Sequence, residues 1–245
     1  MNYAKGKSPA AKSYERVNRK RRLINSKRQK LGSFKNDCLI SKIPFMGDYE
    51  VEERHCVISW LKENVNEHRL QHILGVEQTC IDLARCHGLN QTKAATAGLM
   101  HDLAKFFPPK KLLKIAKDAE ITIDEICLKF PHLLHAEVGA VVARQEFGIK
   151  DPKILAAIGN HTLGNPGMSK LSCVVFVADA LEPNRGDNAE LNAMRSTAKE
   201  NLYKCVQQTS DYSLKYLVSQ QKVIHPRTIL TRNWALAKAK KKTNS

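Results

Sequence analysis

The sequence predicts an all-α protein, a bundle of helices. Apolar residues recur at helical spacing over most of the chain, and most such segments start at a capping residue and stop at glycine or proline. No stretch alternates apolar and polar residues with period two, and none reads as a hairpin turn. The first helix is read in "YEVEERHCVISWLKENV". The second, "EHRLQHILGVEQTCIDLARCH", is stopped by Gly88. Asn90 caps the third, which is expected to run through His101 to the prolines of "FFPP", where the missing N–H ends it. "PKKLLKIAKDA" is a short amphipathic helix; "TIDE" at 122–125 reads as a capping box for the next, and Pro131 closes that one. "HLLHAEVGAVVARQEFG" continues to Gly148, and "DP" at 151–152 gives a cap and a first-turn proline to "KILAAIGNH". After the loop "GNPGM", Ser169 caps "KLSCVVFVADAL". The run "CVVFV" is rich in β-branched residues, but length, cap and helical neighbours favour a buried helix over a strand. A long amphipathic stretch at 188–221 and a last helix from about 227 complete the series. No internal repeat is evident.

The net charge of +16 suggests nucleic acid until it is divided along the 245 residues. Residues 1–45 hold 13 basic and 2 acidic residues, and 232–245 hold 5 basic and none acidic, whereas 46–231 hold 22 of each. The sequence therefore divides into a basic N-terminal extension at 1–45, expected to be disordered, a neutral globular body at 46–231, and the end of the last helix with a basic tail at 232–245. No run of apolar residues is long enough to span a membrane, and the N-terminus lacks a signal-peptide core. Seven cysteines without CxxC pairing read as reduced thiols of a cytoplasmic protein and give no structural zinc site.

Function is to be sought in polar residues inside apolar helices. "AGLMHDLAKFF" sets His101 and Asp102 side by side where a partnerless polar group costs several kcal/mol. A lone histidine on an apolar face is usually a satisfied core residue, and His55, His68, His87 and His132 are read that way. His101 and Asp102 have company: His72 lies mid-helix, His135 begins a helix, His161 ends one, and Asp179 is embedded in "CVVFVADAL". Imidazole and carboxylate suit first-row ions such as iron, manganese, cobalt and zinc, and a cation replaces the hydration these groups lose on burial. Four histidines and two aspartates exceed the needs of one tetrahedral ion and fit two octahedral ions sharing Asp102 as a bridge. Arg69, one turn before His72, Lys105, one turn after Asp102, and Arg185 and Arg227 in the proline-stiffened "EPNRG" and "IHPR" are cations that would suit a phosphate-rich anion; without the metal cluster, Lys105, Arg185 and Arg227 read as solvated surface charges. Thr162 adds a hydroxyl beside His161. No GxxxxGK[ST], GxGxxG or GxSxG appears.

The order His72…His101-Asp102…His135…His161…Asp179 resembles the HD-domain phosphohydrolases. "HRLQHILGVEQT", "AGLMHDLAK", "PHLLHAEVGA", "NHTLGNPGMS", "FVADALEPNRG" and "VIHPRTI" are similar in turn to the motifs of the YqeK family, over roughly residues 54 to 235. The resemblance implies an HD-domain helical bundle and a symmetrical bis(5′-nucleosyl)-tetraphosphatase, cleaving diadenosine tetraphosphate to two ADP at a dinuclear divalent centre. Iron is the favoured ion, with manganese, cobalt or zinc as alternatives. It makes His72, His101, Asp102, His135, His161 and Asp179 the metal ligands. It assigns substrate contact to Arg69, Lys105, Thr162, Arg185, Lys222, Val223, Ile224, His225, Pro226 and Arg227 as well as to the ligands His72, Asp102, His135, His161 and Asp179. A water whose pKa the ions lower attacks a β-phosphorus in line. Asp102, Lys105 and His135 are the expected catalytic residues: Lys105 takes up phosphoryl charge, and Asp102 or a neighbouring histidine accepts the water's proton.

Two rivals stand beside this reading. Another nucleotide, such as a nucleoside triphosphate, a cyclic nucleotide or (p)ppGpp, would keep the metal site. A nucleic-acid- or ribosome-binding protein on a degenerate HD scaffold would use the basic tails on RNA or other polyanions. A homodimer is left open.

Overall fold

A computed structural model describes residues 51–241 of the chain. The expected N-terminal extension at 1–45, Met46 and the last four residues of the basic tail lie outside the described residues. Among the described residues there are eleven α-helices, two short 3₁₀ helices and no strand. The all-α fold stands.

Helices α1 (Val51–Asn64), α2 (Glu67–Cys86) and α3 (Gln91–Met100) come first, with Asn66 and Asn90 accepting the N–H groups of Arg69 and Lys93 as N-caps. Sequence placed the end of α3 at the prolines, but the helix stops at Met100. The reason lies in the side chain after it. His101 Nδ1–H donates to the Gly98 carbonyl at 2.7 Å, taking an acceptor that the next turn of α-helix would use. Residues 101–107 then proceed in tight turns, with Lys105 N–H on Asp102 O at 3.0 Å and Phe107 N–H on Ala104 O at 3.1 Å.

Helix α4 (Pro109–Asp118) starts at its proline, as expected. Helix α5 (Glu125–Lys129) is capped by Asp124, whose carboxylate accepts Cys127 N–H at 2.7 Å, so the first residue of "TIDE" is not the cap. Pro131 opens a 3₁₀ helix (Pro131–Leu134) rather than only closing α5, and α6 (His135–Phe147) begins at the candidate ligand itself. Helix α7 (Pro152–Asn160) carries its Asp151 cap, and α8 (Lys170–Leu181) its Ser169 cap. A 3₁₀ turn (Pro183–Arg185) follows. The amphipathic stretch is two helices, α9 (Ala189–Glu200) and α10 (Leu202–Ser219). Asn201 divides them: its N–H donates to Thr197 O while its side chain accepts Lys204 N–H, ending one helix and capping the next. Helix α11 (Pro226–Lys241) starts at Pro226 and crosses the composition boundary at 232. Beyond that boundary Trp234 meets Tyr203 edge-on, with ring centroids 5.6 Å apart. Ala235 and Ala239 are buried, and Arg232 pairs with Asp211 at 2.7 Å.

Helix α8 is the hub and packs against α2, α3, α7, α9 and α10. Every residue from Leu171 to Ala178 is buried, which accounts for the strand-like run: a helix surrounded on all sides needs apolar residues on all sides. Each buried valine, leucine or phenylalanine contributes about 1.5–3 kcal/mol, and together they fix the axis that presents Asp179. No described helix is long and apolar enough to cross a membrane.

Candidate metal centre

The candidate ligands come from helix ends. His72 projects from the second turn of α2, His101 and Asp102 follow α3, His135 opens α6, His161 follows α7, and Asp179 stands near the end of α8. The last carbonyls of a helix lack intrahelical donors, and three histidines use them. His101 Nδ1 donates to Gly98 O, His135 Nδ1 to His132 O at 2.6 Å, and His161 Nδ1 to Ile158 O at 2.8 Å. His72 Nδ1 donates to Glu182 Oε1 at 3.0 Å. A carbonyl or carboxylate partner can only accept, so each Nδ1 carries the proton and each Nε2 presents a lone pair.

Those four lone pairs and two carboxylates face one another. His135 Nε2 and His161 Nε2 lie 3.1 Å apart, and His72 Nε2 lies 3.1 Å from Asp179 Oδ1. Asp102 Oδ1 stands 3.4 Å from His135 Nε2 and 3.6 Å from His161 Nε2, while Asp102 Oδ2 is 3.5 Å from His101 Nε2. Both Asp102 Oδ1 and His101 Nε2 are buried without a hydrogen-bond partner. Acceptors turned on acceptors in a buried space repel unless a cation stands among them. Two trios, His72–His101–Asp102 and Asp102–His135–His161, have ligand atoms within 4.8 Å of one another and share Asp102. The donor set fits a pair of divalent ions bridged by that carboxylate.

The electrostatics agree. Burial would raise the Asp102 carboxyl, but His101 first, and then His135 and His161, hold it well below the usual range. Burial would likewise raise Asp179, and His72, His101 and Arg185 hold it well below. Burial pulls His101 down, yet Asp102 and Asp179 outweigh it and lift the imidazole above its ordinary value. His135 is pushed down to about 4, by burial first and by Lys105 and His161 against the pull of Asp102, and is a neutral ligand at neutral pH.

Cations and a hydroxyl ring the centre. Arg69 Nη1 donates to Asp102 Oδ2 at 2.9 Å, with its guanidinium 5.9 Å from the exposed Phe106 ring. Lys105 Nζ reaches His135 Nε2 at 3.2 Å, Thr162 Oγ1 lies 3.1 Å from His135 Nε2 and 3.0 Å from His161 Nε2, and Arg185 Nη2 donates to Asp179 Oδ1 at 2.6 Å. The 222–227 segment stands apart. Lys222 rests on Tyr216, Val223 is exposed, and Ile224 and Pro226 lead into α11. His225 Nε2–H donates to Asp124 Oδ2 at 2.6 Å, and its Nδ1 accepts Arg227 N–H at 3.1 Å, so both ring nitrogens are engaged. The segment is tied to α6 where Arg227 pairs with Glu137 at 2.8 Å, and after burial Lys105 and Lys222 lower His132 further.

Glu182 was missed. In "EPNRG" an acid at a helix end beside proline reads as surface, and only the arginine drew notice, yet the Glu182 side chain is buried against His72. An acid immediately after an apolar helix was the available signal.

The HD domain family matches residues 69–184, from Arg69 to the turn after Asp179. The chain belongs to the HD-domain family, in its YqeK-type branch. The symmetrical bis(5′-nucleosyl)-tetraphosphatase of Halalkalibacterium halodurans is 36% identical over 180 residues, covering 74% of this chain and 95% of the relative. That of Bacillus subtilis is 34% identical over 184 residues, covering 75% of this chain and 98% of the relative. The crystal structure of a predicted HD superfamily hydrolase involved in NAD metabolism from Clostridium acetobutylicum superposes with a TM-score of 0.72 at 31% identity, covering 78% of this chain and all of that one. HD-domain hydrolases are metal-dependent, and the cluster of histidines and aspartates described above lies within the matched HD region.

Proposed function

We propose that this HD-domain chain hydrolyses diadenosine tetraphosphate symmetrically to two ADP, with His72, His101, Asp102, His135, His161 and Asp179 holding two divalent ions. The observation that carries this reading is the convergence of four Nε2 lone pairs and two carboxylates on one another, in a chain whose relatives are named for that activity. Divalent ions held there would lower the pKa of a bound water towards neutrality and polarise a phosphoryl oxygen.

The protein's own residues do the rest. Asp102, fixed by Arg69 through Oδ2, keeps Oδ1 for the His135–His161 side and so links both halves. Lys105 Nζ and the Thr162 hydroxyl stand at the His135 Nε2 edge, where they meet non-bridging phosphoryl oxygens. Arg185, exposed above Asp179, offers the remaining face of its guanidinium to the flanking phosphates. Arg227 and Lys222 extend this positive rim towards the second nucleotide. Iron is the resident ion on this reading; manganese, cobalt and zinc suit the same donors. The described cysteines are free thiols, in keeping with a cytoplasmic protein. The basic residues of 1–45 and 232–245 bind RNA or another polyanion, with the steep salt dependence such contacts have.

Incubating the purified protein, supplied with ferrous or manganous ion, with diadenosine tetraphosphate and separating the products tests the reading. ADP alone is expected. ATP with AMP overturns symmetric attack, and bound metal without turnover favours another nucleotide. A degenerate scaffold would have lost ligands, and all six are present. Deleting 1–45 is expected to remove RNA retention and leave hydrolysis intact.

A further inference from the structure

The four ligand histidines are not backed alike. His101, His135 and His161 give Nδ1–H to neutral carbonyls, whereas His72 gives it to a carboxylate, Oε1 of Glu182. Glu182 is 1% exposed, and its other oxygen accepts the Asn184 N–H at 2.7 Å. No lysine or arginine pairs with its side chain among the described residues. A carboxyl group so deeply buried is costly unless its oxygens are satisfied, and here they are taken by the His72 ring and the Asn184 N–H. The neighbouring helix is shaped to admit it: a Cβ at Gly75, one turn after His72, would stand 2.5 Å from Glu182 Oε2. A carboxylate behind a ligand imidazole fixes its tautomer and raises its basicity.

Charge follows the same asymmetry. The His72 side has Asp179 and Glu182, against Arg185. Among the described residues the His135–His161 trio has no carboxylate besides the shared Asp102, and Lys105 Nζ lies 3.2 Å from His135 Nε2. Asp102 and its partner Arg69 serve both sides.

We propose that Glu182 is a positioning residue that makes His72 the strongest nitrogen donor of the centre, so that the His72–His101–Asp179 half retains its ion more tightly than the His135–His161 half. The proposal rests on reading the cluster as a two-ion centre, not on the identity of the substrate.

Titrating the chelator-stripped full chain with manganous ion by calorimetry, and counting bound metal after gel filtration, tests it. Two binding steps are expected, the first at least tenfold tighter. Glu182→Gln is expected to weaken the tighter step about 10–100-fold and leave the weaker step within about twofold. Gly75→Ala, which forces Glu182 away from α2 without touching a ligand, is expected to act in the same direction. His135→Ala is expected to abolish the weaker step alone. A merely structural Glu182 would weaken both steps together, and that result, or an effect confined to the weaker step, overturns the proposal. A single step of one ion in the parent protein overturns the two-ion reading itself, and uptake of two ions in equal steps overturns only the asymmetry.

Discussion

His101 and His161 each occupy the C-cap of a helix, and His135 the C-cap of a 3₁₀ helix. A helix end has carbonyls to spare, and an imidazole three residues on satisfies one with Nδ1–H while aiming Nε2 outward. In the proposed centre capping and ligation would thus be one event, with the tautomer set by the fold rather than by the ion. These residues were legible in the sequence as polar groups where burial would otherwise be unfavourable, and Asp102 and Asp179 were legible for the same reason. Their pairing across helices was not, because it depends on which ends α8 brings together. Lys105 was legible only as a charge near Asp102. The geometry sets its ammonium on the His135 edge, where phosphoryl charge would develop. Lys105→Met is therefore expected to lower kcat about 10²–10³-fold with no loss of bound metal, as removal of one preorganised donor does. Steady-state kinetics beside metal analysis on the same preparation checks this.

At the scale of elements, most starts were readable and several stops were not. Asn66, Asn90, Asp151 and Ser169 cap helices because a short polar side chain accepts an orphan N–H, and that chemistry is local. The end of α3 escaped because its stop signal is a histidine ring bonded to the Gly98 carbonyl, not a glycine or proline. The break at Asn201 escaped because an asparagine inside an amphipathic stretch reads as an ordinary surface residue. The start of α11 shows a third case. There His225 accepts Arg227 N–H with Nδ1 and donates from Nε2 to Asp124, the cap of α5, tying two helix N-termini together. His225→Ala removes both bonds and is expected to cost about 1–2 kcal/mol, the usual range for a lost cap. For a folded body of this size that lowers Tm by roughly 2–8 °C. Asparagine at 225, which can still accept from Arg227, is expected to recover part of the loss in a thermal melt. If both variants melt with the parent, the linkage contributes nothing to the fold.

Across the whole molecule, the core and the site are separable. The buried run of α8 and the apolar faces packed on it hold the bundle with no help from the polar cluster, since Leu171, Cys173–Ala178, Ile73, Leu99 and Ile158 belong to one buried apolar cluster. The candidate ligands nevertheless come from α2, the turn after α3, α6, the turn after α7, and α8, so ions held there would tie five separate segments at one point. Without them the same segments bring acceptor against acceptor, as at the 3.1 Å approach of His135 and His161. Metal removal is therefore expected to lower thermal stability while leaving the helices formed. At an ion concentration one hundred times the dissociation constant, binding adds about 2.7 kcal/mol. At this chain length that corresponds to a fall in Tm of about 5–10 °C on chelation. Far-ultraviolet circular dichroism at room temperature should be nearly unchanged, because the core that sets helix content does not include the ligands. Replacing His161 by alanine relieves part of the acceptor crowding and removes a ligand. Its metal-free form is expected to melt at or above the metal-free parent, and added ion should raise it less. A metal-free parent that loses most of its helical signal at room temperature would show instead that the centre holds the bundle together.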